Sequence, residues 1–150
     1  MSNKIMLSIH RIHAERIFSG EKTLEIRKTV PSGTPFIAYM YETKSGGGAG
    51  AVVGQFKCRT IIKTNAFGTV TFDEFDEEVP YWHDSTLFEG QEYREYISER
   101  ACLTLDELTE YANGGDIHAL EISEVIRYPA AMPLSFFGIN RAPQSWQYVK

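Results

Sequence analysis

Cysteine is scarce in this chain of 150 residues: Cys58 and Cys102 are the only two, and neither sits in a CxxC pair. That excludes a disulfide framework and a zinc-ribbon arrangement. Long apolar runs are missing too. The longest, Phe36-Ile37-Ala38-Tyr39-Met40-Tyr41, falls far short of the ~20 residues a membrane-spanning helix needs. The start, Met1-Ser2-Asn3-Lys4, lacks the apolar core and small-residue cleavage site of a signal peptide. Glycine clusters at 46–48 and 50 without the GxGxxG register of a dinucleotide site. Gly20-Glu21-Lys22-Thr23 is not a phosphate loop, because Glu21 splits Gly from Lys and Glu15 stands where the upstream glycine belongs. Four histidines (10, 13, 83 and 118) show no HExxH spacing, so no metal site is expected, and no GxSxG marks a nucleophile. The expectation is a cytoplasmic, reduced, single domain over 1–150 with no membrane segment and no cofactor.

Of what is present, charge is the most informative. A formal net charge of −5 argues against a nucleic-acid binder that works by bulk charge. The total conceals a division: residues 1–64 sum to +6, residues 65–126 to −14 and residues 127–150 to +3. Basic ends around an acidic middle suggest one region that meets an anionic partner and another that repels it. A set of solvated acidic helices would give the same middle.

Periodicity supplies the elements. Lys4 to Ile9 reads as a strand, followed by a brief helix with Ala14, Ile17 and Phe18 on one face and Gly20 as its stop. Residues 22–28 alternate, with Leu24 and Ile26 on one side and Thr23, Glu25 and Arg27 on the other. Phe36 to Thr43 is apolar on both faces and therefore central. After the Gly46–Gly50 connection, Ala51 to Lys63 places Val52, Phe56, Cys58 and Ile62 opposite Gln55, Lys57, Arg59 and Lys63. That basic row suits either an anion-facing surface or an edge guarded against aggregation. The acidic run 73–78 and Pro80-Tyr81-Trp82 lie in the least regular part, and Glu89 to Arg100 favours a helix. Thr104 with Glu107 forms a capping-box pattern for a further helix ending near Asn113-Gly114-Gly115. Asp116 to Arg127 reads as a strand with Leu120, Ile122 and Ile126 on one face, before an aromatic, basic tail. Strands flanked by short helices without regular βαβ alternation indicate an α+β fold, a small partly open barrel.

One constellation has chemical content. Glu25 and Arg27 share a strand face about 7 Å apart, with Lys22 at the strand start. Such a trio recognises a nucleobase edge and phosphate, or moves protons if the lysine is desolvated. It also fits a plain exposed ion pair worth less than ~1 kcal/mol.

The same residues carry a resemblance. Leu7-Ser8-Ile9 and the run Ala14 to Lys28 (AERIFSGEKTLEIRK) resemble the opening of ASCH-domain proteins, members of the PUA-like superfamily. Their signature is a helix, then G-x-K-T, then a strand ending in Arg. Further similarity runs through Phe36–Glu42, Val53–Phe56, the Leu103–Tyr111 helix, the Ile117–Val125 strand and the closing Arg141-Ala142-Pro143-Gln144-Ser145-Trp146-Gln147-Tyr148, and is weakest across 65–86. The resemblance implies a mixed PUA-like β-barrel of about five to seven strands with short flanking helices, a cleft walled by the GEKTLEIRK segment, and work on RNA or a modified nucleotide. The residues it nominates for binding are Ser8, Lys22, Thr23, Glu25, Arg27, Tyr41, Arg141, Gln144 and Ser145, with Tyr41 or Trp146 to stack on a base. One branch of the family resembles small amidohydrolases of N4-acetylcytidine that use Lys, Thr and Glu. Lys22 matches that lysine. Glu25 stands at the threonine position, and the glutamate falls near Ala101, with Glu99 the nearest acid. Hydrolysis by Lys22, Glu25 and Glu99, or ribonuclease action, is therefore the alternative to binding alone.

Overall fold

The structure is a computed structural model and describes residues 3–64, 70–74 and 91–150. In chain order the described elements are β1 (Asn3–Ile9), α1 (Arg11–Ser19), β2 (Leu24–Arg27), β3 (Phe36–Glu42), β4 (Ala51–Thr64), β5 (Val70–Glu74), α2 (Gln91–Ala101), α3 (Leu105–Ala112), β6 (Ile117–Met132) and β7 (Trp146–Tyr148). This is the expected α+β class, with seven strands among the described residues. Residues 65–69 and 75–90, which carry most of the acidic run together with Pro80, Tyr81, Trp82 and His83, lie outside the described residues. None of the described helices is long and apolar enough to cross a membrane. The chain forms two compact units, and β4 and β6 each contribute to both.

The first unit comprises Met1–Glu21, Pro35–Cys58 and Ile122–Lys150. β1 pairs in parallel with β3, from Asn3↔Phe36 to Ile9↔Glu42, and antiparallel with β7. These two neighbours pair both edges of β1, and both of its faces are buried, in keeping with its unbroken apolar run from Ile5 to Leu7. β3 in turn pairs antiparallel with β4, so its two apolar faces are those of an interior strand, as its composition indicates. α1 buries Ala14 and Ile17 and ends where Gly20 adopts a left-handed φ of 85°. At Gly54 the chain has no room for a side chain. A Cβ there would lie 2.4 Å from the Ile126 carbonyl oxygen and 2.7 Å from the Phe18 ring. Over that ring, at 4.2 Å, sits the Arg127 guanidinium, which also forms a 2.7 Å ion pair with Glu15. The bond to Arg127 holds the Glu15 carboxyl below its usual range and raises the Arg127 pKa.

The second unit comprises Lys22–Thr34 and Arg59–Glu121. β2 pairs antiparallel with the start of β6, and the end of β4 pairs with β5. Leu24, Ile26, Ile62, Ile97, Ala101, Leu108, Ile117 and Ala119 form its core, into which α2 and α3 send their apolar faces. α3 starts with the expected capping box. Thr104 accepts from the Glu107 amide and Glu107 accepts from the Thr104 amide, each at 3.0 Å. It stops at Asn113, whose φ of 47° is left-handed.

Two expectations need correction. β4 is not a guarded edge: β3 and β6 flank it, and β5 joins at its end. Its basic row is instead matched by carboxylates, with Lys57 3.7 Å from Glu124 and Lys63 3.4 Å from Asp116. Leu120 and Ile126 do not share a buried face. Leu120 is 1% exposed and Ile126 is 50% exposed. Between them Glu124 has a φ of 47°, and a left-handed residue inside a strand breaks the side-chain alternation.

Candidate functional site

The site grows from the C-terminal end of α2. The last carbonyls of a helix have no partner within it and carry the negative end of its dipole. Here two donors from the GEKT segment meet them. The Thr23 amide donates to the Arg100 carbonyl at 2.8 Å, and the Lys22 ammonium donates to the Ala101 carbonyl. Lys22 is 2% exposed and stands among the largest fully buried side chains of the described residues, in the company of Phe36 and Phe56. An ammonium is almost never buried without compensation. Glu25 supplies it, with Oε2 at 3.9 Å from the Lys22 Nζ.

Glu25 serves a second cation. Its Oε1 lies 3.5 Å from the Arg27 Nε, and the carboxylate and guanidinium are only 9% and 11% exposed. The alternation of β2 puts these two on one face, as the sequence indicates. The opposite face, Leu24 and Ile26, enters the core. With side chains 1%, 9% and 11% exposed, Lys22, Glu25 and Arg27 are not the exposed ion pair that spacing alone allowed. Glu25 Oε2 accepts no hydrogen bond among the described residues, since 3.9 Å is ion-pair rather than hydrogen-bond distance.

The β2–β6 register adds a residue that the sequence reading set aside. Arg27 stands directly opposite His118, and Glu25 opposite Leu120. Paired residues of an antiparallel ladder project to the same side, so His118 shares the face of Glu25 and Arg27. Its Nδ1 is buried and accepts or donates no hydrogen bond among the described residues. The signal available in the sequence was weak: His118 and Leu120 alternate correctly, but only the pairing register says which residues they oppose.

The remaining nominated residues separate by unit. Thr23 and Glu99 belong to the second. Thr23 is exposed and donates its amide to the Arg100 carbonyl rather than to the trio, whereas Glu99 is an exposed side chain of α2 without an ion pair to Lys22. Ser8, Tyr41, Arg141, Gln144 and Ser145 belong to the first. Ser8 donates its hydroxyl to the Pro143 carbonyl at 2.6 Å and its amide to the Ser145 carbonyl at 2.9 Å, so it clips the R-A-P-Q-S segment to β1. Arg141 and Gln144 are exposed. Tyr41 is packed among Met6, Val52 and Ile139. Trp146 is half-buried, with its ring edge-on to Tyr148 at 5.1 Å. The described residues contain no group of three His, Cys, Asp or Glu suited to a metal.

Comparison with known proteins places the fold. The family model described as ASCH domain matches residues 7–123. Among solved structures the chain is similar to an ASCH protein of Zymomonas mobilis, with 18% identity and a TM-score of 0.67, covering 98% of this chain and 87% of that one. A single-residue variant of that protein gives 16% identity and a TM-score of 0.69, over 98% and 88% of the two chains. Another gives 17% and 0.66, over 98% and 90%. No curated protein sequence matches the chain.

Proposed function

The chain belongs to the ASCH domain family, whose fold is PUA-like, and on that premise we propose that it is a binding module for single-stranded RNA or a modified nucleotide, with Lys22, Glu25 and Arg27 at its centre. Membership of the family supports an RNA-binding role in general. One observation carries the narrower reading: a lysine, a carboxylate and an arginine are held together, almost out of solvent, at the end of a helix. Burial of three charged groups costs stability unless they are paired, so folding alone gives little reason to gather them. In this reading Arg27 meets phosphate or a base carbonyl, and Glu25 accepts from an exocyclic amine. Residues 1–150 act as one domain. Cys58, buried, and Cys102, half-buried, stand outside any disulfide, which supports a reducing, cytoplasmic setting.

The test is a fluorescence-anisotropy titration of a labelled single-stranded RNA at several salt concentrations. Removing one phosphate contact by Arg27→Ala should weaken binding and lower the slope of log K against log[salt] by about 0.7. Arg141→Ala in the same titration reads the contribution of the exposed tail arginine. No measurable affinity for RNA, DNA or nucleotide at low salt would falsify the binding reading.

A second reading, hydrolysis of an acylated cytidine or cleavage of RNA, rests on the burial of the Lys22 amine beside Glu25. A desolvated lysine serves as base or nucleophile. Product analysis with N4-acetylcytidine and labelled RNA tests it, and turnover undiminished by Lys22→Ala excludes that role.

A further inference from the structure

The second unit contains a pocket that the trio does not use. It measures about 170 Å³ and lies where β4, α2, α3 and β6 meet, with Thr64, Arg94, Ile97, Leu108, Thr109 and Ile117 in its wall. Among the described lining residues Ile97, Leu108, Ala112 and Ile117 are apolar, and Ile97, Leu108 and Ile117 belong to the core of the unit. The polar groups are few and specific. Thr64 is 5% exposed, and its Oγ1 is buried with no hydrogen-bond partner among the described residues. A buried hydroxyl left unpaired is unfavourable, and natural cores avoid it. The Arg94 guanidinium has a single described partner, the Thr109 hydroxyl, which in turn donates to the Leu105 carbonyl at 2.9 Å. Five N–H donors fanned in a plane thus serve one neutral oxygen, at the wall of an apolar hole.

We propose that this pocket binds a small monocarboxylate with an apolar body, its ring or short chain among Ile97, Leu108 and Ile117 and its carboxylate held by Arg94, with the Thr64 hydroxyl as a further donor. Three features select this class. A cavity of about 150 Å³ already admits benzene, so a ring with one carboxylate suits 170 Å³. A guanidinium recognises a carboxylate through two parallel N–H bonds, which the planar fork of Arg94 is shaped to make. The unpaired Thr64 hydroxyl gains the partner it lacks. A mostly apolar pocket with a few convergent polar groups is the usual form of a small-ligand site.

Benzoate is the probe, titrated into the full chain and followed by amide shifts at Thr64, Thr109 and Gly114, the last also lining the pocket. For a ligand of this size a saturable Kd on the order of 0.1–1 mM is expected. Benzamide, equal in shape and uncharged, should bind at least about tenfold more weakly, because a hydrogen bond to a charged partner is worth about that factor or more. Arg94→Gln should weaken benzoate by a similar factor and leave benzamide unchanged, and Thr64→Val should weaken benzoate by a few fold. The proposal is overturned if benzoate produces no saturable shift at these amides, if benzamide binds equally well, or if Arg94→Gln retains full affinity. The benzoate–benzamide comparison uses the unmodified chain, so it decides the matter even if a variant folds poorly.

Discussion

Replacing Glu25 by Gln isolates what holds the buried trio together. The carboxylate lies 3.9 Å from the Lys22 Nζ and 3.5 Å from the Arg27 Nε. At an effective dielectric constant of about 20, each of these attractions is about 4–5 kcal/mol before desolvation. Gln keeps the shape but leaves two cations facing a neutral amide. Lys22, at 2% exposure, cannot turn to solvent. Breaking such a pair from one side costs about 3–5 kcal/mol, and we expect about 3–4 kcal/mol here. Lys22→Met is the opposite case. Glu25 keeps Arg27 as its partner, and the main loss is the donor to the Ala101 carbonyl, worth about 1–2 kcal/mol. Lys22→Met combined with Glu25→Gln should therefore be more stable than Glu25→Gln alone by at least about 1 kcal/mol, since the buried ammonium that faced the lost carboxylate is gone. Urea denaturation reads this directly. With a slope of about 2 kcal/mol per M, the single Glu25→Gln substitution lowers the midpoint by about 1.5–2 M. A loss below about 1 kcal/mol for Glu25→Gln, or a double variant no more stable than that single, would refute the reasoning.

Other substitutions probe the frame around the site. Gly54→Ala drives a methyl into the Ile126 carbonyl and the Phe18 ring and should cost about 1–3 kcal/mol, seen as a lower Tm. Thr104→Ala removes the side-chain half of the α3 capping box and should cost about 1 kcal/mol in urea denaturation. Tyr128, whose hydroxyl donates to Gln55 at 2.7 Å, has its pKa pushed up to about 12 from 10.0, first by burial and then by Tyr39. The folded chain holds that proton more tightly than the unfolded chain. The stability it contributes is complete below pH 10 and is lost as pH rises from 10 to about 12. Tyr128→Phe should flatten stability against pH in that window, and an unchanged profile would count against the assignment.

Much of the frame is legible in residues four or fewer apart. The Thr104–Glu107 box, the Gly20 and Asn113 stops and the alternation of β2 all appear as their sequence patterns indicate. Such features depend on backbone dihedrals and hydrogen bonds that close within one turn or one pleat. The β6 face departs from its sequence pattern because one left-handed residue, Glu124, reverses the alternation, and nothing local in a glutamate announces a positive φ. The basic row on β4 departs from its pattern for another reason. Its partners Glu124 and Asp116 stand more than fifty positions away in the chain.

The sequence by itself determined that Lys22, Glu25 and Arg27 sit within six positions and that Glu25 and Arg27 share a strand face. It could not say whether they meet water. Tertiary structure decided that, by bringing the α2 carbonyl end onto Lys22 and by setting His118 opposite Arg27 through the β2–β6 register. The physical reason is range. Spacing along a strand is set by covalent geometry, whereas burial and ion pairing depend on which distant segment lies across, and that choice belongs to the packing of the whole core.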